Sequence, residues 1–280
     1  MTNEDERLAL LPINSQAHRK HGWQRLTNLS HASNDYWSPI TTLEMTRLLP
    51  NYVMAFARIA QEEFCLCVIQ GLSRNENLYL DHDGRWLVQH YPDRYAVYPF
   101  VLRELAGDEQ KRHMVCFNMN SGLYRETLSD ATEENGFFDE AGKPSAQFQK
   151  IIDRLNAIAA AQNHTLKISN AIASAGILTP FSLSHPDVQD EDQIRAMYRI
   201  DESALKRLSS DEFEKLRHAD ALPAIYAQIF SMRRGDILEI LKKMQTKPQP
   251  TPNQPTIQTT LDNQFGIDSS FQIDFSGYTK

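Results

Sequence analysis

The residues of this sequence that are best suited to hold a metal ion are Asp81, His82 and Asp83. Two carboxylates and an imidazole can bind a divalent cation. Aspartate is also common in turns, because its carboxylate accepts hydrogen bonds from nearby backbone amides, and Gly84 follows directly. The segment lacks the spacing of a calcium-binding loop. We therefore interpret it as a turn and predict no metal site.

Two other places carry residue types that suit acid–base or metal chemistry. Glu44 lies beside leucines in a predicted amphipathic segment, where burial can raise the pKa of a carboxyl group toward that of a general base. The alternative is an exposed carboxylate or one paired with Arg47. His18 and His21 can share one helical face, but the two basic residues between them oppose a dication. We favour a solvated basic segment.

The cysteines are few, and their pattern argues against chemistry. Cys65 and Cys67 stand two apart in a predicted strand and therefore point to one face of it. A soft-metal or redox pair is one alternative; the favoured one is two buried thiols that behave as small hydrophobic groups, and Cys116 is interpreted the same way. Three cysteines cannot all pair, which suits a reducing compartment. We expect a cytoplasmic protein.

The segment with the most unusual composition is residues 86–100, which combines aromatic rings with two prolines and one arginine. Proline fixes φ and rings pack flat, so we expect a rigid aromatic corner. Its candidate ligand-binding residues are Trp86, Tyr91, Arg94, Tyr95 and Tyr98. They suit a ring-bearing ligand or an extended peptide, with Arg94 as the contact to an anion. The alternative is that the corner wedges a sheet against helices, with Arg94 stacked or paired internally.

Charge, hydropathy and missing motifs disfavour several classes of function. The net charge of −7 opposes nucleic-acid and anionic-membrane binding, since both need a positive field. No apolar run approaches the roughly 18 residues of a membrane-spanning helix, and the acidic, polar N-terminus shows no secretory signal. The phosphate-loop, dinucleotide, GxSxG, HExxH and CxxC motifs are missing. We assign no catalytic residues and predict no cofactor.

The elements that must position these residues differ between the two halves of the chain. In the first half, short apolar runs predict strands at residues 52–57, 64–69, 77–80, 85–88, 98–102 and 114–119. We expect the first pair to form a hairpin, and the second pair another, because Asp-Gly separates them. Most of these strands have no helix between them, which favours an antiparallel sheet.

The second half is predicted to be helical. Apolar residues spaced i, i+3, i+4, i+7 predict one helix over residues 148–159, a second over 165–175 and a last helical stretch over 221–243. Ser209 and Glu212 form a candidate capping box. The predicted fold class is α+β, with an antiparallel sheet from the N-terminal half packed against helices of the C-terminal half.

The chain is expected to consist of a folded domain followed by a largely disordered tail. Residues 10–245 are predicted to form a single domain, because no separate second core is evident. Residues 246–280 form a Pro-rich tail that we expect to be largely disordered. Within the tail, Phe271, Ile273 and Phe275 alternate with polar residues, which is the period of a strand. They are candidate partner-binding residues of a short strand that docks on a sheet edge.

Several blocks of the sequence, taken together and in order, resemble the SapC-like proteins, a family named after a gene linked with bacterial surface layers. The blocks are LPIN at 11–14, PNY at 50–52, NENL at 75–78, DGRW at 83–86, YP at 91–92, YAVYPF at 95–100, GKPS at 142–145, GIL at 176–178 and LKRL at 205–208. The likeness spans about residues 10–235. Val97 stands where the family pattern has a second arginine.

The resemblance implies an accessory protein of surface-layer or outer-membrane uptake systems, associated with TonB-dependent receptors and with flavin halogenase-like and cupin-like proteins. It supplies no catalytic residues. The first hypothesis is a non-catalytic binding or assembly protein, whose ligand is a protein partner or a peptide-like molecule. The alternative is an enzyme that acts on a peptide, an amino acid or a sugar, with Glu44, His18, Asp83 or Arg94 converging on one cleft.

Overall fold

The computed structural model describes residues 9–73, 75–104, 113–128, 134–181 and 197–245. The described residues form these strands: Leu10–Pro12 (β1), Gly22–Gln24 (β2), Trp37–Pro39 (β3), Val53–Arg58 (β4), Phe64–Ile69 (β5), Phe100–Glu104 (β6), His113–Asn118 (β7), Tyr124–Arg125 (β8), Glu134–Gly136 (β9), Leu178–Pro180 (β10) and Met197–Ile200 (β11). Their helices are Ser15–His18 (α1), Met45–Leu48 (α2), Asp93–Ala96 (α3), Ala146–Ser174 (α4), Glu202–Arg207 (α5), Ser210–His218 (α6), Leu222–Ser231 (α7) and Gly235–Gln245 (α8).

The strands form three antiparallel sheets. The largest has the order β10-β11-β4-β5-β3, and two three-stranded sheets have the orders β1-β7-β6 and β8-β2-β9. The predicted α+β class is confirmed: nine of these strands lie in the first half and the long helices follow. The second half also contributes β10 and β11, which the sequence analysis did not predict.

The five-stranded sheet is covered on both faces. Successive strand residues point to opposite faces, and nearly every residue of β4 and β5 is buried. Helix α4 contacts β5, while α7 contacts β4 and β11. Apart from Arg58, these two strands contain only apolar residues and cysteines, and their burial supplies the main hydrophobic stabilisation of the fold.

A second hydrophobic cluster lies against the first half of α4. It is dominated by aromatic rings: Trp23, Phe100, Phe117, Phe137 and Phe148 are all buried. Trp23 stacks on Phe137 at 5.2 Å and meets Phe100 edge-on at 5.1 Å. Offset and edge-on ring pairs add to the gain from area burial. This cluster holds the β1-β7-β6 and β8-β2-β9 sheets together.

Two helix predictions need correction. The predicted helices over 148–159 and 165–175 are one continuous helix, α4, because no Gly or Pro interrupts residues 160–164. The predicted stretch over 221–243 is divided into α7, a 3-10 turn at Met232–Arg234 and α8. The capping box is confirmed: Ser209 accepts the backbone N–H of Glu212, whose carboxylate accepts the backbone N–H of Ser209.

The predicted hairpin around Asp81–Gly84 is half right. The turn forms, since the Asp81 carboxylate accepts the backbone N–H groups of Asp83 and Arg85, and Gly84 has φ +74°. The flanking strands reduce to a single bridge between Leu80 and Trp86. The N–H of residue 87 still donates to the carbonyl of residue 79, but the N–H of residue 78 donates to residue 70 and that of residue 79 to the Asn77 side chain, so the ladder does not extend.

Candidate functional site

The centre of the predicted aromatic corner is the short helix α3, and its core residue is Tyr95. Tyr95 is 2% exposed, and its hydroxyl lies 2.9 Å from Oδ2 of Asp35 and 3.1 Å from Oε1 of Gln70. Burial raises the pKa of the Tyr95 phenol far above its ordinary value. Tyr95 is therefore a neutral packing residue and is not accessible to a ligand.

Trp86 has a similar structural role. Its Nε1 donates to the Tyr52 hydroxyl at 2.6 Å, and that hydroxyl donates to the backbone carbonyl of His90 at 2.7 Å. The indole also packs near the rings of Tyr91 and Tyr95, at 5.7 and 5.4 Å between centroids. These contacts fix the corner, which agrees with the wedge alternative for this pair of residues.

Helix α3 is anchored by buried charges at its start. The Glu44 carboxylate, 3% exposed, accepts the backbone N–H of Asp93 at 2.7 Å and both donors of Thr41 at about 3 Å. The Asp93 carboxylate in turn pairs with Arg47 at 2.7 Å and Arg154 at 2.6 Å. Burial alone would raise the pKa of Asp93, but the hydrogen bonds from these two guanidinium groups outweigh it and lower that pKa.

These contacts leave Glu44 without the free lone pairs of a general base. Of the two alternatives for Glu44, the ion pair with Arg47 is present, at 3.4 Å. The carboxylate positions α3 and thereby the side chains that α3 carries.

One face of α3 borders a cavity of about 730 Å³, which we call the Arg94 cavity. It lies between β3, the ends of β4 and β5, and the middle of α4. Its lining is formed by Asn34, Asp35, Tyr36, Trp37, Pro39, Ile40, Arg58, Ile59, Cys65, Leu66, Arg94, Gln162, Asn163, Thr165 and Leu166. Most of these side chains are apolar or aromatic, which is the usual lining of a small-molecule site.

The two cations of the Arg94 cavity differ in their contacts. The Arg94 guanidinium lies 5.7 Å from the centroid of the Tyr95 ring, a cation–π contact. Within the residues that the structure describes, no hydrogen bond or ion pair engages it. The Arg58 guanidinium instead lies over the Tyr198 ring at 5.3 Å and donates to the Tyr198 hydroxyl. Arg94 is therefore the cation that remains available to a ligand.

The other face of α3 borders a second cavity of about 510 Å³, which we call the Tyr98 cavity. Its lining is formed by Trp23, Arg25, Leu26, Thr27, Asn28, Leu29, Tyr91, Ala96, Tyr98, Phe100, Asn135, Gln147, Lys150 and Ile151. These described lining residues include two cations and no carboxylate. Tyr91 and Tyr98 are half-buried at its wall.

His31 packs on Tyr98 of one cavity and is near enough to Arg94 of the other to be affected by its charge. Its ring stacks on Tyr98 at 3.8 Å with an interplanar angle of 7° and meets Tyr95 edge-on at 5.8 Å. Both ring nitrogens are buried and have no hydrogen-bond partner among the described residues. Burial, with a smaller contribution from Arg94, lowers the pKa of His31 to about 4. The imidazole is neutral at neutral pH.

The remaining candidates for chemistry do not join these cavities. His18 is 6% exposed and sits edge-on to His21 at 5.6 Å, so the prediction of a solvated segment is wrong for this residue. It is buried because its ring packs beside His21 and Tyr124 and its Nδ1 lies 3.1 Å from the backbone of Asn14. Asp83 is exposed in its turn.

The cysteines behave as predicted, as buried unpaired thiols. Cys65 lines the Arg94 cavity, and burial raises the pKa of its thiol to about 11. Burial also raises the pKa of Cys67 well above its ordinary value. A thiol that stays protonated at neutral pH is a poor nucleophile and a poor metal ligand. The proposed docking residues Phe271, Ile273 and Phe275 lie outside the described residues.

The comparisons with known proteins bear on the family. The SapC family model matches residues 13–238, which is most of the chain. This chain belongs to the SapC family. Searches of curated proteins and of solved structures found no match. The resemblance read from the sequence blocks is thus confirmed, and the SapC match ends before the tail.

The residues that the sequence analysis missed in this SapC-family chain come from distant positions. The Arg94 cavity takes Trp37 and Arg58 from β3 and β4, and the Tyr98 cavity takes Arg25 and Lys150 from segments over 100 residues apart. No local pattern marks these residues, because each one stands alone in its own segment. The one available signal was the corner itself, whose Arg94, Tyr91 and Tyr98 line the two cavities.

Proposed function

We propose that this SapC-family chain is a non-catalytic accessory protein that binds a small ligand in the Arg94 cavity. The ligand has an apolar body and an anionic group that pairs with Arg94. The observation that carries the proposal is an arginine without an ion-pair partner, among the described residues, on the wall of a mainly apolar cavity. A charge in such surroundings gains from a bound counter-charge, because arginine recognises carboxylate-type groups through paired hydrogen bonds.

The shape of the cavity supports this proposal. Its volume of about 730 Å³ falls inside the range of roughly 300–1,000 Å³ that small-molecule sites occupy. Trp37, Ile40 and Leu166 supply apolar surface, while Asn34 and Gln162 can hydrogen-bond to polar groups of a ligand. The backbone position of Arg94 is fixed, because the start of α3 is anchored through Asp93 and Glu44.

The arrangement of the candidate catalytic groups favours binding over catalysis. His18, Glu44, Asp83 and Arg94 make no hydrogen bond to one another. Glu44 is fully engaged by backbone and side-chain donors, and Asp83 sits in an exposed turn. A catalytic acid–base pair needs its members within hydrogen-bond reach of a shared substrate position. The enzyme alternative therefore loses the convergence that it required.

The cellular role follows from the family and remains a proposal. We propose that the chain acts in the cytoplasm as an accessory of surface-layer or outer-membrane uptake systems, with a protein partner. Three buried, unpaired cysteines are compatible with a reducing compartment. Among the described helices, none is long and apolar enough to cross a membrane.

The test uses two matched dyes, the anionic 8-anilinonaphthalene-1-sulfonate and the uncharged N-phenyl-1-naphthylamine. Arg94→Gln should weaken binding of the sulfonate roughly tenfold or more, since a hydrogen bond to a charged group is worth about 1.5–3 kcal/mol. Binding of the uncharged dye should change little. Leu166→Trp, which fills the cavity, should weaken both, as measured by titration calorimetry.

The control is Arg207→Gln, which removes an exposed arginine of α5 outside the cavity. It should leave both dyes unaffected. Equal binding of the sulfonate dye to the Arg94→Gln and unaltered proteins would disprove the role of Arg94, and unchanged binding of both dyes to Leu166→Trp would disprove the cavity as the site.

A further inference from the structure

We infer that the Tyr98 cavity is a second ligand site, which takes a small phosphate monoester carrying a ring. The phosphate lies near Arg25 and Lys150, and the ring lies against the aromatic wall. This inference stands on its own cavity and does not depend on the proposed role of Arg94.

The Tyr98 cavity has an excess of positive charge among its described lining residues. Arg25 follows β2 directly and Lys150 lies in the second turn of α4, so the fold brings two separate cations to one space. Neither has an ion-pair partner among the residues described, and no described lining residue is a carboxylate. The whole chain carries a net charge of −7, so this local excess of positive charge runs against the composition. An anion bound in this cavity would gain from the attraction of both cations.

The neutral polar groups around the cavity favour phosphate over carboxylate as the anionic group of the ligand. Thr27, Asn28, Asn135 and Gln147 add hydrogen-bond donors around the same cavity. A phosphate monoester has several acceptor oxygens and can use donors from more than one direction, whereas a carboxylate has two oxygens in one plane. The first turns of α4, which include Gln147, add the positive end of a helix dipole.

The aromatic wall of the cavity indicates that the ligand also carries a ring. Tyr91 and Tyr98 are half-buried there, and Trp23 and Phe100 lie beneath them in the second hydrophobic cluster. His31 covers the Tyr98 ring at 3.8 Å and Trp86 contacts Tyr91. Rings that are already fixed lose little conformational entropy when a flat ligand packs on them.

A polyanion is the less favoured occupant. The net charge of −7 repels a long chain of phosphates, and the cavity volume of about 510 Å³ suits one small molecule. The occupant is thus a monoester.

The test measures binding of phenyl phosphate to the full chain by ligand-observed NMR titration, with inorganic phosphate and phenol as the two halves of the probe. Phenyl phosphate should bind more tightly than either half. Lys150→Gln and Arg25→Gln should each weaken it roughly tenfold or more, the loss that follows removal of a charge-assisted hydrogen bond. Both side chains are exposed at the rim, so neither change threatens folding.

The matched control is Lys167→Gln, which removes an exposed lysine of the same helix outside the cavity and should leave binding unchanged. Lys150→Gln and Arg25→Gln are compared in an Arg94→Gln background as well, so that phenyl phosphate bound in the Arg94 cavity does not contribute to the measured loss. Unaltered affinity in Lys150→Gln and Arg25→Gln would overturn the inference. Inorganic phosphate binding as tightly as phenyl phosphate would overturn the part that concerns the ring.

Discussion

His31 is an imidazole that the fold keeps uncharged. Its two nitrogens lack partners within the described part of the chain, and its ring lies flat on Tyr98. Burial lowers the pKa of His31, with a smaller contribution from the charge of Arg94 on α3, and Tyr95 packs against the edge of the ring. An imidazolium here would lose water without gaining an acceptor.

Lowering the pH should therefore destabilise the fold through His31. The unfolded chain binds a proton near pH 6.5, while the folded chain does so near pH 4. Stability from this group is complete above pH 6.5 and falls as the pH drops toward 4, by about 1–2 kcal/mol between pH 7 and 5. His31→Phe keeps a ring on Tyr98 but has no proton to bind. Urea unfolding at both pH values should show a smaller loss for this variant, and an equal loss in both proteins would contradict the assignment.

For single residues, the sequence predicts the kind of local structure better than the role of each side chain. The abundance of rings in residues 86–100 indicated a rigid corner, and Arg94 and Tyr98 do line cavities. The burial of Tyr95 could not be predicted, because it depends on Asp35 and Gln70, whose positions come from other segments. The same holds for Glu44, whose role depends on the distant amide of Asp93.

Strand β2 is the element on which the Tyr98 cavity depends. It lies between β8 and β9 and carries Trp23 into the cavity wall. Gly22 begins the strand, and a Cβ atom there would lie 2.1 Å from the carbonyl oxygen of Asn135 on β9. The close approach of two backbones therefore requires glycine at this position.

Two alanine substitutions should have opposite effects on stability. Gly22→Ala should destabilise the fold by about 2 kcal/mol or more, because the clash is with backbone that cannot move without breaking the β2–β9 pairing. Gly235→Ala, at the start of α8, meets no atom within 4 Å and has helical dihedral angles. It should stabilise by about 0.5 kcal/mol by restricting the unfolded chain. Thermal unfolding of both variants tests the pair; stabilisation by Gly22→Ala would contradict the close packing.

Elements with strong periodicity were predictable and short ones were not. The β4–β5 hairpin follows from two apolar runs with a polar connection, and α4 follows from its apolar spacing although its length was underestimated. Strands of three residues such as β2, β3 and β9 contain too few positions to show a period of two. They exist because neighbouring backbone satisfies their hydrogen bonds.

Helix α4 connects the two hydrophobic clusters of the molecule. Phe148 and Leu155 in its first half belong to the aromatic cluster, whereas Ile168 and Ile172 in its second half belong to the cluster around the large sheet. A continuous helix carries no break at which the two clusters can separate. The structure thus supports cooperation between them.

We expect one unfolding transition for residues 10–245, which tests the prediction of a single domain. Leu155→Ala and Ile172→Ala each create a buried cavity, in different clusters, and should each cost about 2–5 kcal/mol. Both should lower the same midpoint in far-UV and near-UV circular dichroism. Two separated transitions in either variant would show that the clusters unfold independently.

The α+β class follows from the order of strand-like and helix-like patterns, and the structure agrees with it. The division into three sheets was not predictable, because strand pairing depends on contacts between distant segments. Strand β11, for example, joins β4 across more than 100 residues. Such pairings are specified by the whole set of buried faces rather than by any one segment.

The chain has three tryptophans, and the fold gives each a different neighbourhood. Trp37 lines the Arg94 cavity, Trp23 lines the Tyr98 cavity, and Trp86 is hydrogen-bonded inside the corner. Indole emission responds to its immediate surroundings, so occupancy of either cavity perturbs a different fluorophore. Replacing Trp37 or Trp23 with phenylalanine removes the fluorophore of one cavity at a time. A change in the emission that remains would then show which of the two cavities a ligand occupies.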